Sequence, residues 1–374
     1  MNKAHLFFPE NDLALARNLD NYTAPGPAMK LRMSGYTLPM WFMDEDDCFI
    51  AQGVNAAWLN DKRERFDIRA KVYDRRPEAW MPCPWGWSRA ARRFFNQMGF
   101  EANQLPDDAT LDKIRELSHR RNAAEIARRL DLPGTPVAEE LSSFEAVKAY
   151  AEVHGEVVIK LPWSSTGRGI LMTDSGTIDQ QRGQIEGMIA NQGCVMAEPR
   201  LKGLMDLAML FTMQGGHATY EGLSVFHNSS TGRYEANILD SQANLERMCM
   251  DYISGDAMNH LREALPPILE SIIGVAYNGP LGIDMMIYDD GGKPTLDAAI
   301  ELNLRNTMGH VALRFYERHC AAEAKGRFAV LTERPEENPQ MDGNRMATGT
   351  MCLNPTGGQF SFAVTSITVP CKNR

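Results

Sequence analysis

A hairpin in the last third of the chain constrains the fold more than any other feature. Residues 281–288 and 295–304 form two apolar stretches, and the intervening DDGGK at 289–293 is a strong turn signal. The two stretches are therefore predicted to pair as antiparallel strands. Because side chains two positions apart share one face of a strand, the second strand buries its leucines and presents a polar face made of Glu301, Asn303 and Arg305.

This polar face suits a magnesium ion held on phosphate. With Asp284 on the adjacent strand, it offers carboxylate and amide oxygens, which Mg²⁺ prefers as ligands. Arg305 cannot bind a cation, but its planar fork matches a phosphoryl oxygen or a substrate carboxylate. A tight turn at Asp290 would instead set Asp297 opposite Asp284, which makes Asp297 a further metal candidate. The plain alternative is a solvated polar face on an edge hairpin.

A lysine at the end of an apolar stretch, VVIK at 157–160, is the second feature. The Ser/Gly-rich segment that follows offers backbone N–H groups close to the cation, which is what a polyphosphate needs. The segment is neither a Walker A loop nor GxGxxG. An ordinary surface loop is an equally good interpretation of this pattern alone.

The third feature is CVMAEPRLKGLMD at 194–206. Glu198 precedes Pro199, and proline ends a strand because it has no N–H to donate to a neighbouring strand. Such a break can expose backbone groups to the edge of an adenine. A mere strand end is the alternative.

In this order, the three features resemble the ATP-grasp superfamily, in particular its carboxylate-amine and carboxylate-thiol ligases. The resemblance covers about residues 111–320. It implies an α/β (α+β) fold in which two α+β subdomains grip ATP, preceded by a small N-terminal α/β domain. The implied divisions are an N-terminal domain at 1–110, a lid subdomain at 111–200, and a metal-binding subdomain with a C-terminal extension at 201–374.

The resemblance also implies roles for individual residues. The expected magnesium ligands are Asp284, Glu301 and Asn303, and the expected catalytic residues are Arg305 and Lys160. The expected ATP contacts are Arg120, Lys160, Ser164, Ser165, Gly167, Gly169, Glu198, Leu201 and Asp206. The chain departs from the family in two places: an arginine (Arg120, or its neighbour Arg121) replaces the usual first lysine, and the interval from Asp284 to Glu301 is longer than usual.

The function that the resemblance implies is ATP-dependent, ADP-forming ligation. A small-molecule or peptide carboxylate is activated as an acyl phosphate and captured by an amine or a thiol, with ATP and Mg²⁺ as cofactors and Mn²⁺ as an alternative to Mg²⁺. Two other functions stay open: a kinase on the same scaffold, and a non-catalytic nucleotide-binding protein.

Charge and composition exclude several classes of partner. The net charge of −9 argues against nucleic acid and anionic membranes. The seven cysteines have no CxxC spacing, so neither a disulfide framework nor a zinc site is indicated, and a cytoplasmic location is expected. No stretch approaches the roughly 20 apolar residues that span a bilayer. A homodimer is left open.

The segments before and between these features carry weaker signals. Asn11, Asp12 and the segment PWGWS at 84–88 are candidates for the substrate cleft, although core aromatics are the favoured interpretation of Trp85 and Trp87. The two prolines of MPCPWGW exclude a central strand. Ser88 is predicted to cap a helix, one amphipathic helix is predicted over 111–130, and a structural role is favoured for His310.

Overall fold

The computed structural model describes residues 2–51, 53–164, 169–229 and 232–366. Its α-helices are α1 (Asn11–Arg17), α2 (Gly26–Gly35), α3 (Ala56–Phe66), α4 (Arg89–Gln97), α5 (Asp108–Leu117), α6 (Arg121–Leu130), α7 (Phe144–His154), α8 (Arg182–Gln192), α9 (Gln242–Met250), α10 (Gly255–Ile273) and α11 (Met308–His319). Its strands are β1 (Lys3–Leu6), β2 (Cys48–Phe49), β3 (Lys71–Val72), β4 (Met81–Pro84), β5 (Glu139–Leu141), β6 (Val157–Lys160), β7 (Ile170–Thr173), β8 (Val195–Pro199), β9 (Gly203–Gln214), β10 (His217–Asn228), β11 (Tyr234–Leu239), β12 (Gly279–Asp290), β13 (Lys293–Asn303), β14 (Gly326–Leu331), β15 (Gln340–Asp342), β16 (Arg345–Thr348), β17 (Thr350–Cys352) and β18 (Ser361–Ser366).

The N-terminal sheet is parallel, in the order β3-β2-β1-β4. Strand β4 contains both prolines of the MPCPWGW segment and lies at the sheet edge, where the missing N–H groups cost no inner hydrogen bond. The prediction that this segment is not a central strand is confirmed. Because the chain leaves β1 towards β2 on one side and β4 lies on the other, a crevice is expected beyond the carboxyl ends of β1 and β4.

Late residues of the chain complete the hydrophobic core of the N-terminal sheet. The Phe7 ring lies edge-on to Phe362, with 5.8 Å between the centroids. Trp41 packs against Phe315 and donates its indole N–H to the Leu353 carbonyl at 2.8 Å. The first and last segments of the chain therefore share one core.

The sheet of the predicted lid is antiparallel, in the order β5-β8-β6-β7, and α7 and α8 pack on it. Strand β6 is buried along its length, as the apolar VVIK run predicts. The Ser143 hydroxyl accepts from the Ala146 N–H at 3.2 Å and so begins α7. In the same way, Ser88 caps α4 as predicted.

The largest sheet is antiparallel and has the order β13-β12-β9-β10-β11-β14-β18-β17. The hairpin predicted from the sequence is confirmed as β12 and β13. Asp290 pairs with Lys293, and Gly291 and Gly292 form the turn with φ of 63° and 96°, a left-handed conformation that glycine adopts without strain.

The single helix predicted over 111–130 is wrong, because the chain breaks between α5 and α6. At the break, the His119 ring Nδ1 accepts from the Arg121 N–H at 3.0 Å, and the Arg120 N–H donates to the Pro162 carbonyl at 3.3 Å. These partners take N–H groups that a continuous helix would use internally. The amphipathic pattern of residues 111–130 does not reveal such partners. The break directs Arg120 towards the lid sheet.

Helix length and composition bear on the membrane prediction. The longest described helix, α10, has 19 residues and includes charged side chains and two prolines. Within the residues that the structure describes, no helix is long and apolar enough to cross a bilayer.

Candidate active site

The three predicted metal ligands lie together on one face of the β12–β13 hairpin. Asp284 is directly opposite Glu301, and Asn303 lies two residues further along β13. Asn303 Nδ2 donates to Asp284 Oδ2 at 3.0 Å. Burial, reinforced by the charge of Glu301, raises the pKa of Asp284 well above its usual range. We call Asp284, Glu301 and Asn303 the metal face.

The register of the hairpin explains the long interval between Asp284 and Glu301. Asp297 is opposite Met286, whereas Asp284 is opposite Glu301, so the second strand accommodates two extra residues between these pairs. This bulge excludes the alternative register in which Asp297 faces Asp284. Asp297 precedes Glu301 in β13 and lies nearer the turn, where it is 5% exposed.

Two arginines meet the oxygens of the metal face. Arg120 Nη2 lies 3.0 Å from Glu301 Oε1, and Arg305 Nη2 donates to Asn303 Oδ1 at 2.6 Å. The residue types fit Mg²⁺, because two carboxylates and an amide side chain lie together on this face. Burial and the charge of Glu301 disfavour the charged form of Asp284, and a bound cation would offset both effects.

The second part of the candidate site is built around Lys160, the last residue of β6. Its side chain is buried and forms an ion pair with Glu198 of β8. Asp297 is also close: burial raises the pKa of its carboxyl to about 7, the charge of Glu198 adds to this, and the charge of Lys160 opposes it. We call Lys160, Glu198 and Asp297 the lysine side of the site.

Arg120 connects the metal face to the segment after β6. Besides its contact with Glu301, Arg120 Nε donates to the Leu161 carbonyl at 3.0 Å, and Nη2 donates to Ser164 Oγ at 3.2 Å. Arg121, by contrast, is half-exposed and pairs with Glu140 at 3.3 Å. Of the two neighbouring arginines, Arg120 is the one in the site.

The predicted phosphate loop is described at both ends. Ser164 is buried against Arg120, and the Gly169 carbonyl accepts from the Leu161 N–H at 2.8 Å. Gly169 has a φ of 75°, and a Cβ there would lie 2.7 Å from Leu161 Cδ1, so glycine is required. Ser165 and Gly167 lie outside the described residues.

The residues predicted to contact adenosine come after Glu198 along the chain. Leu201 is partly buried between β8 and β9, and Asp206 lies on β9. Asp206 Oδ2 accepts from Asn228 Nδ2 at 3.1 Å, and burial raises the pKa of Asp206. Met286 pairs with both Asp206 and Asp297, so these carboxylates share one sheet face. Sequence reasoning missed Asn228 because strand β10 was not predicted.

The N-terminal sheet reaches the metal face through Asp12. Arg305 Nε donates to Asp12 Oδ1 at 3.0 Å and to Asp12 Oδ2 at 2.9 Å. Arg305 Nη2 lies 2.7 Å from Asp12 Oδ2. The Asn306 N–H donates to the Trp85 carbonyl at 2.8 Å. Asn11 and Asp12 therefore do lie at a contact between the two regions. The Asp12 pairing with Arg305 left no signal in the sequence.

The favoured interpretations of the tryptophans and of His310 agree with the structure. Trp85 is buried edge-on to Phe7, with 5.0 Å between the rings, and Trp87 packs partly buried against two cores. His310 is buried, and its Nδ1 accepts from the Thr307 N–H at 3.1 Å at the start of α11. These side chains have structural roles.

One further group has the composition of a metal site: His119, Glu140 and Cys194. The His119 Nδ1 accepts from a backbone N–H, so its Nε2 carries the proton and faces the Cys194 sulfur at 3.7 Å. Metal-binding histidines instead donate from their second nitrogen. Burial lowers the pKa of His119 to about 3, and the charge of Arg121 adds to this effect. A positive charge beside the group disfavours a bound cation.

Solved structures that share the architecture of the chain include two of biotin carboxylase. A biotin carboxylase from Campylobacter jejuni, described as a β-γ-ATP complex, aligns with a TM-score of 0.55 and 11% identity over 98% of this chain and 88% of that one. The biotin carboxylase domain of Hydrogenobacter thermophilus 2-oxoglutarate carboxylase, a dimer described with MgADP, ADP and bicarbonate, aligns with a TM-score of 0.52 and 12% identity over 97% and 86%. No protein-family model and no curated protein matches the sequence. At these identities the likeness concerns the fold: the chain has the ATP-grasp fold that the resemblance implies.

Proposed function

We propose that the chain is a Mg·ATP-dependent, ADP-forming ligase that activates a carboxylate as an acyl phosphate for capture by an amine or a thiol. The observation that carries this proposal is the metal face, where Asp284 lies opposite Glu301 and the Asn303 amide contacts Asp284, with Arg120 and Arg305 beside them. The two biotin carboxylase structures named above are both described with an adenine nucleotide, and one of them with magnesium.

The metal face would hold the cation. Asp284, Glu301 and Asn303 would bind Mg²⁺, or Mn²⁺ in its place, and a bound cation would neutralise charge on the transferring phosphate. Arg120 already lies on Glu301 and would exchange this contact for a phosphate oxygen. Ser164, which Arg120 also contacts, would come with it into the phosphate site.

The lysine side would hold the nucleotide. Lys160 would bind phosphate oxygens, the strand end from Glu198 to Leu201 would face the adenine, and Asp206 would accept from the ribose. The loop from Ser164 to Gly169 would cover the phosphates and exclude water.

The chemistry requires no nucleophile from the protein. A carboxylate oxygen of the substrate attacks the γ-phosphorus and ADP leaves; the amine or thiol then attacks the acyl carbon and inorganic phosphate leaves. Positioning and charge suffice for the phosphoryl transfer. Arg305 and Lys160 would supply positive charge where the transferred phosphoryl group is most negative.

The proposal includes a cytoplasmic enzyme whose second substrate enters between the N-terminal sheet and the metal face. The acid would be a small molecule or a peptide and would bind beyond the carboxyl ends of β1 and β4, where Asp12 contacts Arg305 and Trp85 contacts Asn306. The proposed units remain an N-terminal domain at 1–110, a lid at 111–200 and a metal-binding unit at 201–374.

Trapping with hydroxylamine tests the proposal. The chain is incubated with Mg²⁺, ATP, hydroxylamine and a panel of amino acids and dicarboxylic acids, with Glu301→Gln as the control. A hydroxamate that forms with at least one acid and requires Glu301 is the expected result. A kinase would release ADP and yield a phosphorylated alcohol without hydroxamate, and a binding protein would release no ADP; either result would contradict the proposal.

A further inference from the structure

We propose that Cys83 is a reactive thiolate and a site of reversible oxidation by hydroperoxides, activated by His5 and Asp47. The three side chains form a cysteine–histidine–aspartate cluster in the N-terminal sheet. The inference does not rest on the proposed function, because no residue of the metal face or of the lysine side takes part in it.

Strand register brings His5 and Cys83 together. Strands β1 and β4 are parallel neighbours, and His5 of β1 is the register partner of Cys83 of β4. Such partners project from the same face of a sheet, and these two side chains form a hydrogen bond. The sheet itself therefore holds the sulfur against the imidazole.

Asp47 completes the cluster from the segment before β2. His5 Nε2 lies 2.8 Å from Asp47 Oδ2, and Asp47 Oδ1 accepts from the Lys3 N–H at 2.7 Å. Because Nε2 is used by Asp47, Nδ1 is the ring nitrogen that can face Cys83. His5 and Asp47 are buried. The carboxylate therefore orients the imidazole, as the aspartate of a catalytic triad orients its histidine.

The charges within the cluster favour a thiolate and an imidazolium. Burial alone would raise the pKa of Cys83, but the charge of His5 and its hydrogen bond outweigh burial and lower this pKa. Burial likewise opposes the charged form of His5, but Cys83 and Asp47 raise the pKa of His5 to about 9. Lys3 further lowers the pKa of Cys83, and the nearby Tyr277 stays neutral because burial raises its pKa. The usual order of the two pKa values is reversed, so the thiol proton resides on His5.

Exposure distinguishes Cys83 from the other cysteines. Of the six cysteines within the described residues, Cys83 alone is partly exposed, and the other five are buried. Burial raises the pKa of each of those five thiols to about 11 or 12. Reactive cysteines are accessible thiolates beside a positive charge, whereas buried thiols are inert. Cys83 meets both conditions for reactivity.

The oxidation transfers two electrons from the sulfur to a hydroperoxide. The Cys83 thiolate attacks one oxygen of hydrogen peroxide, so that an S–O bond forms and the O–O bond breaks. The departing hydroxide takes the proton of the His5 imidazolium, which gives a sulfenic acid, neutral His5 and water. A low-molecular-mass thiol then attacks the sulfenic sulfur and releases water, and a second thiol reduces the resulting mixed disulfide.

Alkylation of the full chain with iodoacetamide at pH 6 and pH 8, followed by peptide mass spectrometry, tests the thiolate. The rate at Cys83 should rise less than about tenfold between these pH values, whereas a thiol with a pKa of about 8.5 reacts roughly 70-fold faster at pH 8. His5→Gln should lower the rate at pH 6 at least about tenfold, because it removes the imidazolium. The matched control, His154→Gln, removes an exposed histidine of α7 that stacks on Tyr150 and should leave the rate unchanged.

Treatment with hydrogen peroxide in the presence of dimedone, which captures sulfenic acids, tests the oxidation. The dimedone adduct at Cys83 should exceed that at buried Cys352 at least about tenfold, and His5→Gln should reduce it. If His5→Gln does not fold, the pH dependence of the wild-type chain and the ratio of Cys83 to Cys352 still decide the inference.

Three results would overturn the inference. The first is a rise of about tenfold or more in the Cys83 alkylation rate from pH 6 to pH 8, as for an ordinary thiol. The second is a folded chain in which Cys83 is not alkylated although it reacts after unfolding. The third is a dimedone adduct at Cys83 no larger than that at Cys352. None of these measurements uses ATP or a metal, so the proposed function stands or fails separately.

Discussion

The metal face and the lysine side of the candidate site are assembled in different ways. Asp284, Glu301 and Asn303 lie on two adjacent strands of one hairpin, so strand register alone brings them together. On the lysine side, Lys160 and Glu198 come from two strands of the lid sheet and Asp297 comes from the large sheet. Local geometry therefore determines the metal face, whereas packing between distant segments determines the lysine side.

The distinction between the metal face and the lysine side is tested most strongly by Glu301→Gln. This change removes one carboxylate from the metal face, and we expect Mg²⁺-dependent affinity for ATP to fall roughly 100-fold, the upper end of the effects seen for groups that support metal ligands. Calorimetric titration of ATP at saturating Mg²⁺ gives the affinity. The control is Glu186→Gln, which removes an exposed glutamate of α8 that pairs with Arg182. Unchanged Mg²⁺ dependence in Glu301→Gln would contradict the assignment of the metal face.

Lys160→Ala should separate the two regions. Loss of the ammonium group should lower ATP affinity about tenfold, the loss expected for a hydrogen bond to a charged group. Lys160 pairs with Glu198, which is not one of the predicted metal ligands. Mn²⁺ affinity measured without nucleotide should stay within about twofold of the wild-type value. The opposite pattern, with metal binding lost and ATP binding retained, would show that the two regions are not distinct.

Asp297→Asn tests the buried charge on the lysine side through pH. The folded-state pKa of Asp297 is raised to about 7, so the stability that its protonated form contributes is lost as pH rises from the unfolded value towards 7. The variant should gain up to about 4 kcal/mol in free energy of unfolding over the wild type at pH 8, and the gain should vanish near pH 4. Urea unfolding at both pH values measures it. An equal difference at both pH values would contradict titration of Asp297 as the cause. Asp289→Asn is the control: a hydrogen bond from Lys202 lowers the pKa of Asp289, so this variant should show no gain at pH 8.

The smallest effect is expected for Arg121→Gln. Arg121 pairs with Glu140 near the surface, and such pairs contribute roughly 0–1 kcal/mol, so ATP affinity should change less than twofold. Arg120→Gln is the matched contrast, because Arg120 contacts Glu301 and Ser164, and its loss should lower ATP affinity about tenfold. Equal effects of the two changes would contradict the position of Arg120 in the site.

The sequence predicted the parts of the molecule that depend on local pattern. The period of two along β13 was enough to place Glu301 and Asn303 on one face, and the DDGGK turn was enough to pair their strand with the strand of Asp284. The cap of α4 by Ser88 was likewise a local signal. The bulge before Glu301 required the actual strand pairing, since a shift of two residues leaves the pattern of facing side chains unchanged.

The sequence did not predict features that depend on distant partners. The break between α5 and α6 depends on the Pro162 carbonyl and the His119 ring, and it alone brings Arg120 onto Glu301. The pair between Asp12 and Arg305 joins residues 293 positions apart. No local pattern signals either contact, because both arise when the N-terminal sheet, the lid and the large sheet pack together.

The central claim is that the metal face binds the cation that accompanies ATP. The most direct measurement is anomalous diffraction from crystals of the chain grown with Mn²⁺ and a non-hydrolysable ATP analogue. We expect one strong Mn²⁺ peak at roughly 2.0–2.4 Å from oxygens of Asp284, Glu301 and Asn303, next to the γ-phosphate. Nucleotide bound with no Mn²⁺ at this face, or Mn²⁺ bound by other residues, would contradict the claim.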